Sequence, residues 1–140
     1  METRILTTPI AQLRNPVVAG LDFRIKPPQL LIYYHSDGGK DIDYDIVFDN
    51  PRGFKCLDEG DMINYWENPL LVDNWLFEIL SGGWLDMEDS AGGFSSKALG
   101  FREFLITGMD DCISVLSQQE PRFVQRPNPV LNSALLPLLR

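Results

Sequence analysis

The sequence predicts an α+β fold: a mainly antiparallel β-sheet of about six to seven short strands, with one or two short helices packed on one face. Three observations predict it. Short apolar or alternating segments recur along the chain, each bounded by turn residues. The connections carry hairpin chemistry, as in Ser36-Asp37-Gly38-Gly39-Lys40, Asn50-Pro51-Arg52-Gly53 and Gly108-Met109-Asp110-Asp111. One stretch, Cys56 to Trp66, changes from sheet-like to helical spacing in the middle of this pattern.

Residues 1–20 are weakly patterned, and Pro9 and Pro16 argue against a long helix there. Leu21 to Ile25 alternates apolar and charged residues, as a half-buried strand does, and Pro27-Pro28 ends it. Gln29 to His35 reads as a more deeply buried strand. Asp41 to Asp49 is the cleanest alternation: Ile42, Tyr44, Ile46 and Phe48 point one way, and Asp41, Asp43, Asp45 and Asp49 the other. Phe54 to Leu57 is a short strand that leads into a helix. Asp58 is its N-cap, Glu59 and Asp61 favour its first turn, Met62, Ile63 and Trp66 form one stripe, and Asn68-Pro69 ends it.

Trp75 to Leu80 resumes strand character. Ser81-Gly82-Gly83 bends the chain, Trp84-Leu85 starts another short piece, and Asp86 to Gly93 reads as a loop. Phe101 to Thr107 and Cys112 to Leu116 form a natural antiparallel hairpin. Pro121, Pro127 and Pro129 interrupt the C-terminal stretch, and Leu131 to Leu139 reads as a short helix or a tail packed on the sheet.

The 140 residues are expected to form a single domain spanning 1–140. An apolar fraction of 44% and 11% aromatics are globular values. The formal charge is −8, so nucleic acid and anionic membranes are unfavourable partners and basic surfaces favourable ones. Its distribution is uneven. Residues 37–111 hold 17 acidic residues against 5 basic ones, whereas both flanks are net positive. No signal-peptide pattern opens the chain and no apolar run reaches the ~20 residues of a membrane span, so a cytoplasmic protein is expected. Cys56 and Cys112 both lie in or beside apolar runs and are expected to be buried free thiols.

Enzyme chemistry finds little support. His35 is the only histidine and sits at a strand end. A cysteine hydrolase assembled from Cys56 or Cys112, His35 and an acid has no local motif behind it. P-loop, dinucleotide, zinc and nucleophile-elbow patterns are missing from the sequence. Asp58-Glu59-Gly60-Asp61 has the chemistry to hold a hard cation but lacks the alternating ligands of an EF-hand loop, and capping explains it better. No metal or cofactor is therefore expected. The acidic strand is the stronger feature. Carboxylates at alternate positions recur every ~6.6–6.8 Å, close to the repeat of backbone phosphates, and only Lys40 lies nearby in sequence. Trp84, after Gly82-Gly83 and before acidic residues, is the expected exposed anchor, while Trp66 and Trp75 are expected in the core.

Leu57 to Trp66, Trp75 to Ile79, Ser81 to Trp84, Glu103 to Gly108 and Asp111 to Ser117 together resemble bacterial immunity proteins of polymorphic toxins, including those of contact-dependent growth inhibition systems. The resemblance covers about residues 56–117. It implies a non-enzymatic cytoplasmic protein that binds a cognate toxin domain, often a basic nuclease, and covers its active site or substrate groove. It supplies no binding residues. On charge and aromatic placement, the expected partner-binding residues are Asp41, Asp43, Asp45, Trp84, Asp86, Glu88 and Asp89. Two other classes remain open: a small metal-dependent or cysteine hydrolase, and a generic acidic protein-interaction or adaptor module.

Overall fold

In the computed structural model, the described residues are 1–8, 16–35, 43–66, 68 and 74–126. The expected turn at 36–40, Asp41 and the expected segment 131–139 lie outside them, as does the side chain of Trp66. The strands are β1 (Glu2–Ile5), β2 (Val17–Ile25), β3 (Pro28–His35), β4 (Asp43–Asp49), β5 (Gly53–Asp58), β6 (Leu76–Ser81), β7 (Arg102–Thr107), β8 (Asp111–Ser117) and β9 (Arg122–Arg126). A 3₁₀ turn at Glu59–Asp61 precedes helix α1 (Ile63–Trp66), and α2 spans Trp84–Ala91. Among the described residues, no helix is long and apolar enough to cross a membrane.

The α+β class holds, but the nine strands form two sheets, where about six to seven strands in one were expected. A five-stranded sheet runs β1-β6-β7-β8-β5 and a four-stranded sheet runs β2-β3-β4-β9, with every neighbour antiparallel. The unforeseen strands β1 and β9 are both edges. Each is short and mixes apolar with charged residues, which leaves little periodic signal to detect.

Side-chain alternation then determines the layers. Leu30, Ile32 and Tyr34 of β3, with Ile46 and Phe48 of β4, pack on Leu76, Phe104, Ile106, Ile113 and Val115 of the larger sheet and on Trp75 just before β6. The opposite face of that sheet carries Leu57, Phe77, Ile79, Leu105 and Cys112, and is covered by Met62 and Tyr65. The order is therefore four-stranded sheet, five-stranded sheet, helices. Being covered twice explains why β7 and β8 are buried at successive positions on both faces.

Asp58 does cap, through a 2.8 Å bond from the Gly60 amide, but the element it opens is a 3₁₀ turn. The break before α1 re-phases the expected stripe. Met62 is buried, whereas Ile63 turns out to solvent with 67% exposure. Trp84 to Ala91, expected as a strand start and a loop, is helical. Asp86 accepts the Gly82 amide from the first turn, and Gly92 at φ +89° terminates the helix. Cys112 is buried as expected, but Cys56 is exposed because β5 is an edge strand. Leu57 pairs with Cys112, so Cys56 points to the other face of the sheet, and both thiols are free.

Tyr34 pins the two sheets together. Its ring stacks on Trp75 at 4.6 Å, and its hydroxyl donates to the Thr107 carbonyl at 2.6 Å. Burial holds this phenol far above its usual titration range. Tyr34→Phe should lower unfolding free energy by about 1–3 kcal/mol, because the Thr107 carbonyl loses a buried donor. Tyr33→Phe, on the outer face under Arg126, should stay within about 0.5 kcal/mol. Equal denaturation midpoints for the two variants would contradict this role for Tyr34.

Candidate functional site

Among the described residues, acidic side chains are grouped in three places. The first is β4, whose outer face carries Asp43, Asp45 and Asp49. The register puts β9 directly beside it, with Arg126 opposite Asp43 and Arg122 opposite Val47. Arg126 pairs with Asp45 and lies 4.8 Å over the Tyr33 ring, while Arg122 pairs with Asp49 at 2.8 Å. Asp43 is buried. The expected free acidic ladder is thus not what these residues form, and Asp41 lies outside the described residues. Sequence proximity suggested Lys40 as the only counter-charge, whereas strand pairing supplies arginines from more than 70 residues away.

The second place is α2. Trp84 is half-buried, with the Lys55 ammonium 5.2 Å over its ring and Phe94 6.5 Å away, so it is a covered residue and not a bare anchor. Asp86 is bound by Lys97 at 2.8 Å, and its carboxyl is drawn below the usual range chiefly by that contact. Glu88 and Asp89 are exposed, as is Met87 at 64%. The third place went unrecognised in the sequence. Asp58 pairs in register with Asp111, and the Glu59 amide bonds the Asp110 carbonyl. Two acidic segments far apart in sequence, Asp58 to Asp61 and Asp110-Asp111, therefore share one end of the five-stranded sheet. The only advance signal was that both flank strands predicted to lie in one sheet.

These places do not form a single surface. The β4 carboxylates face outward from the four-stranded sheet. The carboxylates of α2 and of the 3₁₀ turn belong to the helical layer, with both sheets in between. Two sheets stacked ~10 Å apart separate them, so no flat partner covers both. His35 and Cys112 are divided in the same way, which prevents a thiol–imidazole pair between them. Among the described residues, no group of His, Cys, Asp and Glu is arranged to hold a metal.

Beneath the helices lies a buried carboxylate. Glu103 of β7 is 1% exposed and accepts the Leu85 amide at 2.9 Å, with Tyr65 Oη and Ser114 Oγ each at 3.3 Å. Burial raises its carboxyl above the usual range, against the opposing pull of these donors and of Lys55. Beside it a cleft of about 140 Å³ is lined by Ser81, Asp86, Lys97, Arg102 and Glu78. Glu78 is clamped by Arg4 at 2.7 Å and by Arg102 at 2.8 Å, and Arg102 also lies 5.0 Å over the Phe104 ring. The hydrogen bonds from Arg102 are the main reason its carboxyl is pulled down to about 2.

Compared with known family models, curated proteins and solved structures, the chain has no match.

The Glu78 clamp gives a signed pH prediction. Its stabilisation is present above the ordinary value of 4.5 and is lost as pH falls through about 2. Glu78→Gln should weaken the fold by about 1–3 kcal/mol near neutral pH. It should also lose less stability than the parent chain between about pH 5 and about pH 2 in chemical denaturation. Parallel pH profiles for the two proteins would rule out the clamp as the source of acid sensitivity.

Proposed function

We propose that the chain is a cytoplasmic immunity-type protein that binds a basic toxin domain, with nuclease toxins the best-fitting class, and blocks its active site or substrate groove. The observation that carries this reading is where acidity is left uncompensated. Asp45 and Asp49 of β4 are tied to arginines, and Asp86 to Lys97. Asp58, Asp61, Glu88 and Asp89 are exposed and form no ion pair among the described residues. Asp61, Glu88 and Asp89 belong to the helical segments and Asp58 ends β5 where they begin, near the exposed side chains of Ile63 and Met87, whereas the exposed, unpaired Glu2 and Asp22 stand singly on edge strands. A face combining free carboxylates with apolar side chains suits a basic partner that also offers apolar contacts.

On this reading α2 and the 3₁₀ turn meet the partner. Trp84 seats α2, and Glu88 and Asp89 supply its charge. Asp45, paired with Arg126, and Asp49, paired with Arg122, fasten the β4–β9 edge. Long-range attraction would mainly speed encounter, and apolar contacts would set the lifetime of the complex.

Two measurements test it. The protein encoded beside this chain should be lethal when expressed alone and harmless when co-expressed with it. Absence of lethality or of a purified complex would sink the immunity reading. Within the complex, Glu88→Lys with Asp89→Lys should slow association roughly 10–100-fold at low salt and flatten its salt dependence. An unchanged rate, with loss instead on neutralising Asp49, would move the docking face to β4.

A further inference from the structure

The buried Glu103 ties the paired strands β7 and β8 to both helices. It stands on β7, receives Ser114 from β8, Tyr65 from α1 and the Leu85 amide from α2. The N-cap residue of α2 is Gly83, which makes no side-chain bond, and Asp86 of the first turn reaches back only to the Gly82 amide. Glu103 acts as a cap supplied by the sheet. The fit is tight: a Cβ at position 83 would lie 2.6 Å from Glu103 Oε1 and 2.6 Å from Ile79 Cγ2. Only glycine lets the start of α2 come down onto the carboxylate.

We infer that Glu103 is a pH-sensitive latch for the helical layer, which seats α2 on β7 when protonated and loosens that seat when ionised. The inference rests on the docking reading above for its biological use, since α2 carries Glu88 and Asp89, but not for its measurement. Two influences compete over the ionised form. The amide end of α2, the Tyr65 and Ser114 hydroxyls and the Lys55 ammonium favour it. Loss of hydration opposes it, and burial is the larger effect here. The other charged groups around the site are already engaged: Asp86 with Lys97, and Glu78 with Arg102 and Arg4. The adjoining cleft of about 140 Å³ has room for the few waters that an ionised carboxylate would draw in at the foot of α2. The sign follows from the raised value. The stabilisation is complete below 4.5 and is lost as pH climbs through the folded-state value above it.

The test uses the free chain. Amide hydrogen exchange of residues 84–91, corrected for intrinsic rates, is compared between about pH 5 and about pH 8. The expected result is a loss of protection in α2 on raising the pH, with β3 and β4 unchanged. Glu103→Gln should abolish that loss while retaining the parent circular dichroism spectrum. Equal α2 protection at both pH values, or the same loss in Glu103→Gln, overturns the latch. Should Glu103→Gln not fold, Tyr65→Phe provides the second arm. Removing one donor to the carboxylate should move the loss to higher pH, and an unmoved midpoint would overturn the inference. No partner enters these measurements, so failure of the immunity reading and failure of the latch are separately visible.

Discussion

A sheet that is dry on both faces has to be covered twice, and β7 and β8 impose this requirement on the whole chain. Phe104, Ile106, Ile113 and Val115 need one apolar layer, and Leu105 with Cys112 needs another. The four-stranded sheet meets the first requirement and the helical segments meet the second. Ridding these two strands of water is the largest favourable contribution available to a domain of this size. It also dictates where polar groups go. Whatever polar atom lies on those strands must find a partner indoors, as Glu103, Ser114 and Thr107 do.

Two-sided burial also sorts the charge. A chain this acidic crowds its carboxylates, and among the described residues the crowding is greatest at three separated places. On β4 the crowding is relieved by arginines brought alongside as β9. At α2 and at the Asp58–Asp61 turn relief is incomplete, so those positions retain a strong field. A charge count along the chain cannot reveal this, because compensation depends on which strands become neighbours.

Much of the fold is legible in the sequence. The alternation in Asp43–Asp49 and the apolar runs in β3, β7 and β8 carry enough period to be read directly. The cap at Asp58 is equally legible, because it depends on residues two apart. Illegible features are those decided by distant partners. Gly92-Gly93 looks like loop until it is understood as a helix stop, and Arg122–Arg126 looks like a proline-bounded tail until it lies against β4. The candidate site was legible as composition and not as place. Glu88 and Asp89 stand exposed, whereas Asp43 is buried and Asp45 is neutralised, because burial and pairing are set by the second sheet.

The edge strands have a consequence for behaviour in a crowded solution. Each sheet ends on one side in a short strand whose arginines are matched to acids on its inner neighbour: Arg4 to Glu78 on β6, and Arg122 with Arg126 to Asp49 and Asp45 on β4. An unpaired strand edge is a template for stacking one molecule onto the next. Charged side chains fixed along β1 and β9 make either edge a poor seat for the equivalent strand of a second copy. The same clamps that fasten β1 and β9 to their neighbours therefore resist fibre-like growth, and keep edge hydrogen-bonding groups from recruiting further copies of the chain.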